Sequence, residues 1–282
     1  MSKPILITKS HGQLEPFDEK KVRASIVRTG ADKKVVDQVL DVVKKKLKPK
    51  MRTSDIYKLV NIELDKLKPW AAARYNLRDA IIKMGPTGFN FEKYVASILN
   101  AYGYDAITPD TYQGACISHE VDVTAKKEGR TAFIEAKFRH DYRGTVNIKD
   151  TMSTWARFLD LVDGAKVDLC PHFDEAWIVT NARFTDQSLK YGHCKNMVLI
   201  GWNHPRERTF AQMVDLNALY PVTLIKDLKK PELEALASEN IMLCRDVIGH
   251  EIPKLTKKTG FSISRAENII KSCEAIISGD KV

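Results

Sequence analysis

The sequence predicts an α/β protein in three parts: a mostly helical N-terminal segment with a small β-hairpin, a central α/β segment with a mixed sheet, and a helical C-terminal segment. Three observations lead there. The 282 residues exceed one average domain of ~150 residues. Strand-like alternation is concentrated in the middle of the chain, where apolar runs alternate with a helix-sized stretch. The turn-forming MGPTG at residues 84–88 interrupts the first helical pattern. With 44% hydrophobic and 29% charged residues, the composition is that of an ordinary globular chain and excludes a disordered or collagenous one. No apolar run approaches the ~18–20 residues of a membrane span, and the apolar stretch in MSKPILITKS is too short for a signal peptide. The protein is therefore expected in the cytoplasm with no membrane partner.

In the first segment, ILITKSHGQLEPFDEKKV carries two short apolar stretches around Gly12, the pattern of a hairpin. Asp18 can cap a helix with Val22, Ile26 and Val27 that stops at Gly30, and Asp32 one with Val35, Val36, Val39, Leu40, Val43 and Leu47. Thr53 or Ser54 caps a third helix with Ile56, Leu59, Val60, Leu64 and Leu67, and residues 70–84 read as a fourth. The second segment opens with a helix over FNFEKYVASILNAYGY, striped by Phe91, Val95, Ile98 and Leu99 and stopped by Gly103. Two β-like runs follow, HEVDVTA and TAFIEAKF, then a helix near 148–163 carrying Ile148, Met152, Trp155, Leu159 and Val162. The runs AWIVT and MVLIGW, separated by a helical stretch after Thr185, suggest adjacent parallel strands. Trp155 and Trp177 are read as core packing. From residue 223 onward the pattern is of short helices, and the boundaries are set at 1–88, 89–222 and 223–282.

Charge is unevenly placed. Residues 1–90 hold 20 Lys and Arg against 10 Asp and Glu, residues 91–222 hold 15 against 17, and residues 223–282 hold 10 against 9. Much of the excess lies in KKKLKPKMR, residues 44–52, either a solvated helix end or an anion site for phosphates. The five cysteines form no CxxC pair and read as reduced thiols. Cys116/His119, Cys170/His172 and His193/Cys194 make a zinc site conceivable, but only the first has ligand-pair spacing.

The chemistry concentrates in the two β-like runs. Alternation places Glu120, Asp122 and Thr124 on one face of HEVDVTA, and Glu135 and Lys137 on one face of TAFIEAKF. A two-residue turn at Glu128-Gly129 would set Asp122 opposite Glu135 and Glu120 opposite Lys137, and a bulge would shift that register. Two facing carboxylates repel unless neutralised, and a hard divalent cation such as Mg2+ or Mn2+ neutralises them with oxygen ligands. A nearby lysine suits phosphodiester hydrolysis, since an ammonium can stabilise charge on the phosphoryl group or orient the attacking water. A solvent-facing hairpin with cross-strand ion pairs is the other reading of the same residues.

The order of Phe91-Glu92 on a helix, then Asp122, then Glu135-Ala136-Lys137 resembles the PD-(D/E)XK nuclease superfamily, and most closely its Mrr-type restriction endonuclease branch. The likeness continues through TNARFTDQSLKYG and MVLIGW and covers roughly residues 89–205. It implies a restriction-endonuclease-like central domain that cleaves DNA, with a metal site from Asp122 and Glu135, a catalytic Lys137, and Glu92 holding a second metal or water. Glu92 also borders the apolar stripe, where an ordinary boundary glutamate is the other reading. HEVD stands where the family often has Pro-Asp, so Glu120 is a further candidate ligand. Arg139, His140 and Arg143 follow Lys137 and either steer a phosphate backbone or form a solvated loop.

The N-terminal ITKSHGQLEPFDEKKV, with Thr53 and the later ARYNLRDA, resembles the ATP-cone, a nucleotide-binding regulatory domain. The resemblance implies ATP or dATP as allosteric ligand, bound by Lys9, Glu15, Lys21 and Thr53; Ser10-His11 stand where the family usually has a basic–acidic pair. No GxxxxGK[ST] occurs, so ATP hydrolysis is not indicated. The tail LTKKTGFSISRAENII resembles a helix-hairpin-helix element with Gly260 at its turn and Ala266 at its close-packed helix. That resemblance implies phosphate contacts from Lys257, Lys258 and Arg265. The combined expectation is a metal-dependent DNA endonuclease regulated by a nucleoside triphosphate. The alternatives are a non-enzymatic, nucleotide-responsive DNA-binding regulator and a structure-specific repair or junction-resolving nuclease. Double-strand cutting by one site per chain would favour a homodimer.

Overall fold

The computed structural model describes residues 4–9, 12–85, 90–109 and 111–279. Ser10, His11 and most of the predicted boundary at 84–88 lie outside them. The chain divides into two compact units: residues up to Leu77 with Tyr220–Leu228 and Leu243 onward, and Arg78–Leu219 with Lys229–Met242.

In the first unit, β1 (Leu6–Thr8) and β2 (Leu14–Pro16) form the expected antiparallel hairpin, with Ile7 opposite Glu15. Helix α1 (Glu19–Val27) starts where the Asp18 carboxylate accepts from the Lys20 amide at 2.9 Å. Helix α2 (Lys33–Lys46) starts at Asp32 in the same way and buries Val35, Val36, Val39, Leu40 and Val43. These side chains share one core with Ile56, Val60 and Leu64 of α3 (Thr53–Leu67). The expectation that Thr53 or Ser54 caps α3 is corrected: Thr53 is its first residue and Arg52 the cap, with no side-chain cap bond. The predicted fourth helix is two, α4 (Pro69–Tyr75) and α5 (Leu77–Met84). The break falls at Asn76, whose amide donates to Asn61 Oδ1 and Ala72 O and accepts from Tyr57 Oη at 2.8 Å. An amide that bonds its own backbone offers the chain an alternative to continuing the helix.

The C-terminal part of this unit includes α11 (Cys244–Ile248), α12 (Ile252–Thr259) and α13 (Ile263–Ser278). Gly260, at φ +75°, and the Ser262 cap turn the chain between the last two helices, while Ala266 is fully buried. This is the hairpin expected from the sequence. Arg74 of α4 ties it to the N-terminal helices. Its Nε donates to Ile276 O at 2.7 Å, Nη2 to Ile277 O at 2.9 Å and Nη1 to Thr29 O at 2.9 Å.

The second unit centres on a mixed five-stranded sheet in the order β11–β9–β7–β6–β3, made of Val198–Ile200, Glu175–Thr180, Arg130–Lys137, Val123–Lys127 and Asp105–Ile107. β7, β9 and β11 run parallel, and α8 (Asp186–Cys194) connects the last two. β6 and β7 form the predicted hairpin: Lys127 pairs with Arg130 across a turn in which Glu128 and Gly129 both have positive φ, 51° and 79°. That geometry matches the right-handed twist of the strands, and glycine adopts it without strain.

Helix α7 (Ile148–Ala165) follows the expected span but is rotated from the expected face. Met152 and Leu159 are exposed, and Thr151, Thr154, Phe158 and Leu161 point inward. The small threonines let the helix approach the sheet, where Phe158 and Phe173 pack on Phe133 with centroids 6.4 and 6.1 Å away. Trp177 is buried as expected, while Trp155 is only partly buried against this core.

Candidate active site

HEVDVTA was expected as one strand and is two. β5 (Ser118–Glu120) pairs with β4 (Thr111–Gln113), and β6 begins only at Val123. The cause is Asp122, whose Oδ2 accepts from the Ala136 amide of β7 at 2.8 Å. A side-chain oxygen thereby takes a hydrogen bond that a continuing β6 would supply from its backbone. The register through Val123–Ile134 is as predicted, but beyond it Asp122 approaches β7 by its side chain. Glu120 does not face Lys137; its side chain is exposed and its carbonyl accepts from Arg157.

Four sequence-predicted residues converge at this end of β7. Glu135 is buried, at 4% exposure, and its Oε1 accepts from Lys137 Nζ at 2.5 Å. Burial, then repulsion from Glu135, then Glu92, push the Asp122 carboxyl up to about 6, against the pull of the Ala136 amide and of Lys137. Glu92 lies in the first turn of α6 (Phe91–Ala101), whose start is fixed by Asn90 accepting from the Lys93 amide at 3.0 Å. Phe91 packs on Phe138 with centroids 5.2 Å apart, which holds that turn beside the end of β7. Two neighbouring carboxylates, Glu135 buried and Asp122 raised by burial and by its neighbour's charge, flanked by a lysine, are a donor set suited to a hard divalent cation. Asp122 and Glu135 would hold it. Among the described residues, no three His, Cys, Asp or Glu side chains form a ready-made metal cluster. Mg2+ commonly binds through one or two carboxylates, with water and substrate phosphate completing its shell.

Three participants were missed. Arg157 of α7 donates through Nη1 to Glu135 Oε2 and through Nη2 to Glu120 O. Thr180, at the end of β9, donates to Lys137 O at 2.5 Å. Asn181 clamps the chain after Lys137, accepting from Arg139 N and donating to Arg139 O, both at 2.8 Å. The clue was available in the Thr180-Asn181 step that ends AWIVT, because ligands gather at the carboxyl ends of parallel strands. Arg157 was hidden by the misassigned face of α7.

The first unit has its own cleft, of about 200 Å³, and Lys9, Glu15, Lys21 and Thr53 all line it, together with Tyr57 and Tyr75. Lys9 pairs with Glu15 at 3.3 Å, and Lys21 lies 3.9 Å from Asp18. Tyr57 and Tyr75 stack with centroids 4.8 Å apart.

Of the predicted DNA contacts, Lys257, Lys258 and Arg143 are exposed. Arg139 bonds Asp150 at 2.8 Å and Thr145 O at 3.1 Å. Arg265 is held by Asp227, through Oδ2 at 2.6 Å and its carbonyl at 2.9 Å. Both have structural partners that phosphate would have to replace. His119 bonds Asp160 at 2.7 Å, and all five cysteines are free thiols.

Three family models match the chain: the ATP cone domain over residues 5–79, Restriction endonuclease over 84–204, and the AF1548-like C-terminal domain over 220–277. An uncharacterized protein of Archaeoglobus fulgidus is 31% identical over 183 residues, which are 65% of this chain and 99% of that one. The chain belongs to the AF1548-like family. The crystal structure of a protein of unknown function, AF1548, superposes on 67% of this chain and 98% of its own, with a TM-score of 0.57 and 31% identity. This family member therefore joins a restriction endonuclease domain to an ATP cone. No helix among its described residues is long and apolar enough to cross a membrane.

Proposed function

We propose that the protein is a metal-dependent DNA endonuclease whose activity responds to ATP or dATP in the ATP cone. The observation that carries the reading is the convergence of Asp122, Glu135, Lys137 and Glu92 at one end of β7, with Asp122 pushed up to about 6. A perturbed carboxylate gathered with further carboxylates and a lysine is a recurrent mark of catalytic sites. Mg2+ or Mn2+ held by Asp122 and Glu135 would lower the pKa of a bound water and offset phosphate charge. Lys137 lies within reach of Glu135, so its ammonium orients the attacking water or meets the charge that builds on the phosphoryl oxygens. Glu92 holds a further water at the helix start. The water oxygen adds to phosphorus as one P–O bond breaks, leaving a phosphate and an alcohol. Arg143, Lys257 and Lys258 supply exposed cations for the backbone of the DNA. The cleft carrying Lys9, Glu15, Lys21 and Thr53 receives the triphosphate. The cytoplasm is the expected compartment.

The test is cleavage of linear, branched and base-modified DNA by the wild type, with Mg2+ or with a chelator, and with or without ATP or dATP. Cutting that needs the metal and changes with nucleotide supports the reading. No cutting of any substrate, with DNA affinity that changes with ATP, would replace it by the non-enzymatic regulator. Preference for branched DNA would assign a junction-resolving role.

A further inference from the structure

Both oxygens of Glu135 are already taken by cations. Oε1 receives Lys137 Nζ, a point charge on a flexible stem. Oε2 receives Arg157, which is fixed from three sides: Nη1 on Glu135, Nη2 on Glu120 O, and the guanidinium over the Phe133 ring, 5.6 Å from its centroid. Arg157 is half-buried at the edge of the α7 face that carries Thr154, Phe158 and Leu161, so the helix itself carries the charge to the carboxylate. Among the described residues no ion pair is formed by Asp122; its Oδ2 accepts a backbone amide, and Lys137 acts on it only from a distance. A divalent ion held by Asp122 and Glu135 would therefore compete with Arg157 for Glu135. A half-buried guanidinium that loses its carboxylate, keeping only Glu120 O, is destabilised, because a charged donor loses more than a neutral group does. A phosphodiester is the acceptor that removes this cost, since its two free oxygens match the guanidinium fork.

We propose that Arg157 is a positioning residue that couples cation binding to DNA binding: it holds Glu135 until a DNA phosphate takes over its guanidinium, so that the metal binds tightly only with DNA in place. This rests on the nuclease reading and assigns it a safeguard against metal loading without substrate. Because linkage is reciprocal, Ca2+ must strengthen DNA binding by the same factor by which DNA strengthens Ca2+ binding.

The test measures Ca2+ affinity calorimetrically in the full chain, with and without a duplex verified to stay intact. In the wild type the duplex tightens Ca2+ binding by about fivefold or more, the lower end of ordinary site–site coupling. Arg157→Gln binds Ca2+ more tightly than the wild type without DNA, again by about fivefold or more, and loses the coupling. Arg157→Lys, which keeps charge without the fork, retains part of it. Glu135→Gln provides a route that does not depend on Arg157 variants folding. With its charge partner removed, Arg157 is released to phosphate, and DNA binding in chelator becomes tighter than wild type by fluorescence anisotropy. Equal coupling in wild type and Arg157→Gln, or DNA binding by Glu135→Gln no tighter than wild type, overturns the proposal while leaving the metal site intact. Absence of Ca2+ binding to wild type and Arg157→Gln alike, with or without DNA, overturns the nuclease reading beneath it as well.

Discussion

Replacing Asp122 by Asn keeps an oxygen for the Ala136 amide and removes the charge that burial and Glu135 resist. The Asp122 carboxyl is raised from 3.8 to about 6, and a rise of about two pH units corresponds to about 3 kcal/mol. The sign follows from the direction. A raised carboxyl favours its protonated form when folded, so the metal-free wild type loses stability as pH rises from about 4 through about 6. The carboxamide of the variant has no proton to lose. At pH 8 in chelator, Asp122→Asn is therefore more stable than wild type by up to about 3 kcal/mol, a rise in Tm on the order of 6–12 °C for a unit of this size. At pH 4 the two coincide. Adding Mg2+ reverses the order, because a ligand that binds only the folded wild type stabilises it. The assay is thermal unfolding of both proteins at pH 4, 6 and 8 with chelator or Mg2+. A pH-independent difference, or a metal-free Asp122→Asn protein less stable than wild type at pH 8, would show that Asp122 carries no destabilising charge.

Arg74→Ala leaves the carbonyls of Thr29, Ile276 and Ile277 without their donor. It should destabilise the first unit by about 3 kcal/mol in urea unfolding, and Arg74→Lys, lacking the fork, should recover only part of that. Lys9→Ala removes a cation from the first unit's cleft and should weaken ATP binding about tenfold by calorimetry, a loss of ~1.4 kcal/mol. The Asp160 carboxyl is held down to about 2, chiefly by His119 and by the Cys116 and Ile117 groups that bond it. A depressed carboxyl contributes stability above its ordinary value near 3.8 and loses it as pH falls toward 2. Asp160→Asn should flatten that acid limb in a pH series of melting curves.

The β6–β7 hairpin was readable because each of its determinants is local. Glu128-Gly129 sets the turn and the alternation of Glu135 with Ile134 and Ala136 sets the face, so Glu135 and Lys137 could be placed together from their spacing. Asp122 was placed near them for a partly mistaken reason: the expected ladder ends before it, and a side-chain bond to Ala136 takes over. No period-2 pattern encodes that exchange. The rotation of α7 was unreadable because its inward face includes Thr151 and Thr154, polar residues selected for size, while apolar Met152 and Leu159 stay outside. Arg157 went unseen for the same reason. The break at Asn76 depends on Asn61 and Tyr57, fifteen and nineteen residues away, and such tertiary partners leave no periodic trace. In the ATP cone, by contrast, resemblance carried Lys9, Glu15, Lys21 and Thr53 to a single cleft although they are spread over the residue after β1, strand β2, helix α1 and the start of α3.

The cluster at the end of β7 is proposed to hydrolyse DNA. The most direct measurement is single-turnover plasmid cleavage in Mg2+ by the wild type, Asp122→Ala and Lys137→Ala, each confirmed folded by circular dichroism. Metal-dependent cutting is expected of the wild type, with both variants slower by about a hundredfold or more. Equal cutting by all three proteins would contradict it.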